Sequence, residues 1–194
     1  MERTTTFIYA NDHQAKEKIS QNISYALKEA KAMNDFSEIC ILCIGSDRAT
    51  GDSLGPIVGQ ILQKSIPISC AKIYGTLKMP AHAANILDVL KQISAENNNP
   101  FIIAVDAALS KSPSHAGRLN IGTGSLKPGA SVGKDLPDIG HFYITGVVNW
   151  ALNIESFSVL QSTRLGNVFE MAEVIAGGIA WAIPSMPWEL SGVY

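Results

Sequence analysis

The chain has 194 residues, of which 46% are hydrophobic and 16% charged, and its formal net charge at pH 7 is −2. This length can enclose one full hydrophobic core but is too short for two ordinary domains, so a single domain over residues 1–194 is expected. The balanced charge and the absence of any run of Lys and Arg argue against nucleic-acid binding, while the apolar composition keeps a homo-oligomer open.

The N-terminal half predicts helices that alternate with short apolar strands. Apolar residues recur at helical spacing over residues 11–34, which predicts a helix there. Residues 38–44 are almost continuously apolar, which is typical of a short strand buried on both faces of a sheet. A glycine-containing loop separates this strand from a predicted helix at about residues 53–64. A second short strand is predicted at residues 70–74.

The cysteines indicate packing rather than redox or metal chemistry. Cys40 and Cys43 lie inside the apolar run of residues 38–44, where small buried thiols are common, and no second Cys/His pair completes a zinc site. The first residues carry no apolar signal segment. Reduced thiols together with this N-terminus lead us to expect a cytoplasmic protein.

The second half continues the alternation of helix and strand. A helix is predicted at about residues 83–95 and a third buried strand at residues 101–105. A long segment rich in Gly, Ser and Lys follows from residue 110 to about residue 137, with a short strand at residues 118–122 inside it. Loops of this length in a compact domain usually carry function or mobility. Residues 141–148, which mix β-branched and aromatic side chains, predict another strand or a strand-to-helix turn.

The last predicted helix covers about residues 163–183. Its apolar face is wide and includes Gly177 and Gly178, which predicts close approach of another part of the backbone. The most apolar stretch, residues 174–183, is far shorter than the ~20 residues that a membrane-spanning helix needs, so no membrane association is expected. The order of elements predicts a three-layer α/β/α sandwich around a mostly parallel sheet.

Two loops each place an aspartate just beyond a predicted strand. Asp52 lies in the loop after residues 38–44, and Asp106 directly follows residues 101–105. Ligands of open parallel sheets bind outside the carboxyl ends of the strands. If the two strands are neighbours, the carboxylates converge and form an acid–base pair or part of a metal site. Like charges held close together raise one pKa, which suits general acid–base catalysis.

Each aspartate also has a structural interpretation. Asp52 could be the N-cap of the helix that follows it, and Asp106 could accept hydrogen bonds from loop amides. The first loop matches neither the Walker pattern nor the dinucleotide fingerprint, which argues against a phosphate site. Among the histidines, His141 follows the long loop and is expected as a third polar group near the strand ends, whereas His82 stands at a predicted helix start.

Three segments resemble the bacterial spore germination protease. Thr-Gly-Asp-Ser-Leu-Gly-Pro at residues 50–56 resembles its Thr-Pro-Asp-Ala-Leu-Gly-Pro segment, and Val-Asp-Ala-Ala-Leu at residues 105–109 resembles its second aspartate motif. Residues 122–134 are similar to its glycine-rich loop. From these segments the chain is identified as a member of the short YyaC family of spore proteins (DUF1256). A wider resemblance extends to the hydrogenase maturation endopeptidases.

The resemblance implies a phosphorylase/hydrolase-like fold and a sporulation-associated endopeptidase of the forespore or spore core. Asp52 and Asp106 would be its catalytic pair, and small acid-soluble spore proteins its substrates. The residues expected to contact the peptide are Gly45, Ser46, Thr50, Gly51, Gly129, Gly133 and Lys134.

Two alternatives stay open at this point. One is a non-catalytic spore protein that binds peptide or metal in the same pocket. The other is a nickel-dependent maturation-type endopeptidase, in which Asp52, Asp106 and His141 hold the metal, as the wider resemblance implies. No cofactor is firmly indicated, and a divalent metal is the one to test.

Overall fold

The computed structural model describes residues 4–33, 36–128, 136–152 and 156–183. Its strands, in chain order, are β1 (Thr5–Tyr9), β2 (Glu38–Cys43), β3 (Lys72–Tyr74), β4 (Pro100–Ser110), β5 (Arg118–Thr123) and β6 (Phe142–Trp150). Its helices are α1 (Ala15–Met33), α2 (Leu54–Ser65), α3 (Ile86–Glu96), α4 (Ser156–Ser162) and α5 (Leu165–Ala182). One turn of 3-10 helix, Gly51–Ser53, precedes α2.

The strands form one six-stranded sheet in the order β1-β5-β6-β4-β2-β3. The pairs β2–β3, β2–β4 and β4–β6 are parallel, while β5 is antiparallel to both β6 and β1. Helices α1, α2 and α5 cover one face, and α3 covers the other. The predicted three-layer sandwich with a mostly parallel sheet is therefore confirmed.

The alternation of side chains explains why β2 is apolar along its whole length. Ile41 and Cys43 join the core under α1, α2 and α5, whereas Cys40 and Leu42 join the core under α3. Both thiols are buried and unpaired. Burial raises the pKa of Cys40 to about 12 and raises the pKa of Cys43 as well. The two cysteines thus point into opposite cores, as the packing interpretation requires.

Helix α5 is central to the larger core and packs against α1 and α2. Ile175 is fully buried there. A Cβ added to Gly178 would lie 2.5 Å from Cβ of Ile19, so the glycine lets α5 approach α1 closely. The predicted close approach at this glycine is confirmed.

Two elements escaped the sequence prediction. Strand β1 buries only Ile8 and pairs antiparallel with β5, so it lacks the apolar run that marked the inner strands. Helix α4 is a separate short helix just before α5. Within the described ranges, no helix combines the length and the apolar character that a bilayer crossing requires.

Candidate active site

The register of the sheet brings the two aspartate loops to one place. Cys43, the last residue of β2, pairs with Val105 of β4, and Asp106 is the next residue along β4. Ile44, the first residue after β2, donates its N–H to the carbonyl of Val105 at 2.7 Å. Since β2 and β4 are parallel, the loop that carries Asp52 therefore begins beside Asp106, at the carboxyl edge of the sheet.

The first loop folds back over the end of β2 because two glycines permit close backbone contacts. Gly45 has a φ of 137°, and a Cβ added to it would collide with the carbonyl oxygen of Asp52. A Cβ at Gly55 would collide with the carbonyl oxygen of Ile44. The N–H of Ser46 donates to the Asp52 carbonyl at 3.1 Å, which closes the loop. These contacts hold Asp52 above the sheet edge.

Asp52 does not cap the helix that follows it. It lies in the 3-10 turn, and α2 begins at Leu54 with no side-chain hydrogen bond at its cap. The hydroxyl of Ser53 donates to the carbonyl of Thr50 at 2.6 Å and so completes the turn. The N-cap interpretation is therefore wrong, and the Asp52 carboxyl group is left to line a cavity.

A cavity of about 330 Å³ lies at the carboxyl edge and contains both aspartates in its wall. Its volume falls within the ~300–1,000 Å³ of small-molecule and cofactor sites. The lining residues are Ile44, Gly45, Ser46, Arg48, Asp52, His82, Ala83, Ala84, Ile86, Asp106, Pro128, Leu136, Phe157 and Leu160. A mostly apolar wall around two carboxyl groups is the setting in which their pKa values depart from normal.

The pKa values of the two carboxyl groups are raised to different degrees. Burial, and then the charge of Asp52, raise the pKa of Asp106 well above its usual range, although the N–H of Ala107 donates to it at 2.8 Å. Burial also raises the pKa of Asp52, but a hydrogen bond from the Ser46 N–H and the charge of His82 oppose this. Of the two carboxyl groups, Asp106 is thus the one that more readily stays protonated.

His82 is the histidine of this cavity. Its Nδ1 accepts the N–H of Ala84 at 3.2 Å, which leaves Nε2 as the ring nitrogen that can donate. Asn85 holds the segment in place, since it accepts the His82 N–H at 2.8 Å and donates to the Pro80 carbonyl at 2.9 Å. The sequence could have indicated His82 by its position after β3, because the loops that follow parallel strands share one edge of the sheet.

His141 lies at the other end of the sheet, so its predicted place beside the aspartates is wrong. Phe142 pairs with Ile103 and Thr145 pairs with Asp106, which puts His141 about four residues, or ~13 Å, before the level of Asp106. Its Nδ1 accepts the N–H of Ile102 at 3.0 Å. Burial lowers the pKa of His141 and favours its neutral form. The reason is that β6 runs parallel to β4, so His141, which directly precedes β6, lies at the amino edge of the sheet.

The donor set at the aspartates does not match a metal centre. Across the described ranges, no group of three or more His, Cys, Asp and Glu side chains has an arrangement that could hold a metal ion. The set implied by the wider resemblance fails in particular because its histidine is His141. We therefore assign no catalytic step to a metal.

The residues expected to contact a peptide fall into three groups. Gly45 and Ser46 line the cavity. Thr50 and Gly51 are not among the described lining residues, and a Cβ on Gly51 would lie 2.8 Å from the Leu160 side chain, so this glycine permits packing against α4. The other three, which lie outside the described residues, are Gly129, Gly133 and Lys134.

Comparisons with known proteins give three results. Residues 7–178 match the family described as "Protein of unknown function (DUF1256)". The chain is 44% identical to the uncharacterized protein YyaC of Bacillus subtilis (strain 168) over 179 residues, which cover 92% of this chain and 84% of that protein. It is also similar to the crystal structure of the NiFe hydrogenase maturation protease HycI from Thermococcus kodakarensis KOD1. That match has a TM-score of 0.49 and 16% identity, and it covers 81% of this chain and 99% of that chain.

Proposed function

The chain belongs to the DUF1256 family, and from its aspartate pair we propose that it is a sporulation-associated endopeptidase of an atypical aspartic type. One observation carries the proposal. Asp106 is only 9% exposed and has a pKa raised well above normal. It shares a cavity with Asp52, whose charged form is favoured by a hydrogen bond from Ser46 and by the charge of His82. A proton donor and a proton acceptor at one site are what acid–base hydrolysis requires.

The chemistry follows from these two protonation states. Ionised Asp52 removes a proton from a water molecule, whose oxygen attacks the carbonyl carbon of a peptide bond. Protonated Asp106 gives its proton to the carbonyl oxygen, so a neutral tetrahedral diol forms. Asp52 then passes its proton to the amide nitrogen, Asp106 takes one back from the diol, and the carbon–nitrogen bond breaks. Both carboxyl groups return to their starting states.

Much of the wall of the aspartate cavity is apolar. Apolar side chains such as Ile44, Ile86 and Leu160 make up much of the lining. Such a wall excludes water and strengthens the electrostatic effect of the carboxyl pair. Arg48, which is exposed, also lines this cavity and contributes a cation.

The motif resemblance to the spore germination protease supports the substrate class. It points to small acid-soluble spore proteins, and hence to action in the cytoplasm of the forespore or spore core. We further propose that residues 1–194 act as one domain.

The test is incubation of the purified chain with an extract of sporulating cells, followed by mass spectrometry of newly formed peptide termini. We expect new termini with the wild-type chain and none with Asp106→Asn. Glu170→Gln is the matched control, because it makes the same carboxylate-to-amide change at an exposed position of α5. The same set of termini with Asp106→Asn as with the wild type would refute the proposal.

A further inference from the structure

A groove of about 820 Å³ runs along β3, outside the aspartate cavity. In the described sheet β3 stands last in the strand order and pairs only with β2. An edge strand of this kind presents backbone N–H and C=O groups that an added strand can use.

The groove follows the backbone edge of β3 rather than one of its faces. Every residue from 71 to 76 lines it. Because successive side chains of a strand point to opposite faces, an unbroken run of lining residues requires a cavity alongside the strand. Ile66, just after α2, forms part of one wall and Val89 of α3 part of the other, so the groove opens between the two helical layers. An additional strand of the sheet would occupy this position.

The lysine on this edge strand, Lys72, does not protect the edge against an added strand. Lysine side chains often guard edges against added strands. Lys72 instead donates to Glu38 Oε1 at 3.3 Å and to the Glu96 carbonyl at 2.7 Å, so its charge is held within its own chain. Hydrogen bonds from Gln92 and Tyr74 keep the Glu96 carboxyl group ionised by lowering its pKa. Glu96 and Asp88 both line the groove, and the one lysine among the described lining residues, Lys72, is paired with Glu38, so the groove favours cationic side chains.

The groove also leads to the aspartates. His82 lines both the groove and the aspartate cavity. Because β3 is parallel to β2, its carboxyl end points to the same sheet edge as the loop that carries Asp52. A chain that extends along β3 thus arrives at the catalytic cavity.

We propose that the groove binds an extended, cationic segment of the protein substrate as an added strand on β3, with the scissile bond placed beyond it in the aspartate cavity. This inference rests on the proposed peptidase function. Backbone hydrogen bonds would provide much of the affinity, as in other cases of β-strand addition. The proposal separates the residues that bind the substrate from those that cleave it.

Binding can be measured with the Asp106→Asn variant, so that no probe is cleaved. The probe is a fluorescein-labelled peptide of six Lys-Thr repeats. One matched peptide replaces Lys by Glu, and another carries N-methyl groups at alternate residues, which block pairing along one edge. We expect both to bind at least 10-fold more weakly than the first peptide. We also expect the first peptide to slow hydrogen exchange at residues 71–76.

Protein variants give an independent measurement. Gln92→Arg should weaken binding of the Lys-Thr peptide by adding a cation beside Glu96. Gln21→Arg, at an exposed position of α1, should leave binding unchanged. Equal binding of the N-methylated peptide, or unchanged exchange at residues 71–76, would overturn the proposal.

Protection of the same residues that rises with protein concentration alone would overturn it too, since the edge would then belong to a second copy of this chain. Cleavage in the extract without groove binding would leave the peptidase proposal intact. Groove binding without any cleavage would refute the peptidase proposal, and with it the role of the bound segment as substrate.

Discussion

The interface between α1 and α5 buries apolar side chains, whereas the carboxyl edge of the sheet buries an ionisable one. At the interface, Ile19 and Ile175 are fully buried, and Gly178 allows the helices to approach closely. At the sheet edge, burial encloses Asp106, an ionisable group whose charged form is disfavoured there. Burial at the interface stabilises the fold. Burial at the sheet edge raises the pKa of Asp106 and lowers stability when this carboxyl group is charged.

This difference shows how one chain can keep a buried ionisable group. A buried carboxyl group is tolerated because the apolar contacts around it, on both faces of the sheet, supply the stability. Residues of the α1–α5 interface should therefore affect stability without changing the acidity of the site. Neutral substitutions of the buried carboxyl group should lower catalysis strongly and raise stability, whereas truncations at the interface should lower stability.

The largest effect is expected from the aspartates. Asp52→Asn and Asp106→Asn should each lower peptide hydrolysis by about 10²–10⁴-fold, because neither amide can act as the proposed acid or base. The double variant should lose no more than the worse single variant, since the pair acts as one unit. Initial rates on the cleaved substrate provide the measurement. Additive losses would show that the two groups act separately.

The matched controls for this prediction are His141→Ala and treatment with EDTA. His141 contacts Ile102 at the amino edge, and the described residues contain no metal-binding donor set, so turnover should stay unchanged in both cases. A stability measurement on His141→Ala identifies any loss that comes from unfolding. Chelator-sensitive turnover by the intact chain would point to the nickel-dependent alternative.

A smaller effect, on stability alone, is expected in the other region. Ile175→Ala should lower the free energy of unfolding by about 2–5 kcal/mol, because it leaves a cavity between α5 and its neighbours. Urea denaturation measures the change. The pH profile of hydrolysis should keep its shape, since α5 does not carry either carboxyl group. An unchanged denaturation midpoint would show that α5 does not support the core in this way.

The smallest effect concerns the dependence of stability on pH. The folded pKa of Asp106 is raised, so above about pH 4 the folded state keeps a proton that the unfolded state has lost. Stability should therefore fall as the pH rises, by at most about 1.4 kcal/mol per pH unit, until the folded pKa is passed. Asp106→Asn should reduce this slope and stabilise the protein at neutral pH. Parallel profiles for the two proteins, from urea denaturation at pH 4–8, would contradict the assigned acidity.

Local patterns were sufficient for most of the fold. The apolar run at residues 38–44 predicted β2, because a strand covered on both faces needs apolar side chains in both directions. The same reasoning located the first half of β4 but ended it at residue 105, whereas the strand continues to Ser110. The polar Asp106 interrupts the pattern there, and pairing with β6 sustains the strand beyond it. Strand β1 left no such pattern because it buries a single side chain.

The sequence by itself determined the layers, the approximate positions of the inner strands and the two aspartates, because periodicity and turn residues are local properties of a chain. Only the tertiary structure decided which histidine accompanies them. His82 follows the predicted strand at residues 70–74 and His141 begins the one predicted at residues 141–148, but the sequence does not show which strands run parallel, so this signal alone does not assign either histidine to an edge. Strand direction and register place His82 at the carboxyl edge and His141 at the amino edge. The raised pKa of Asp106 was equally a tertiary matter, since it arises from burial and from a charge 54 positions away along the chain.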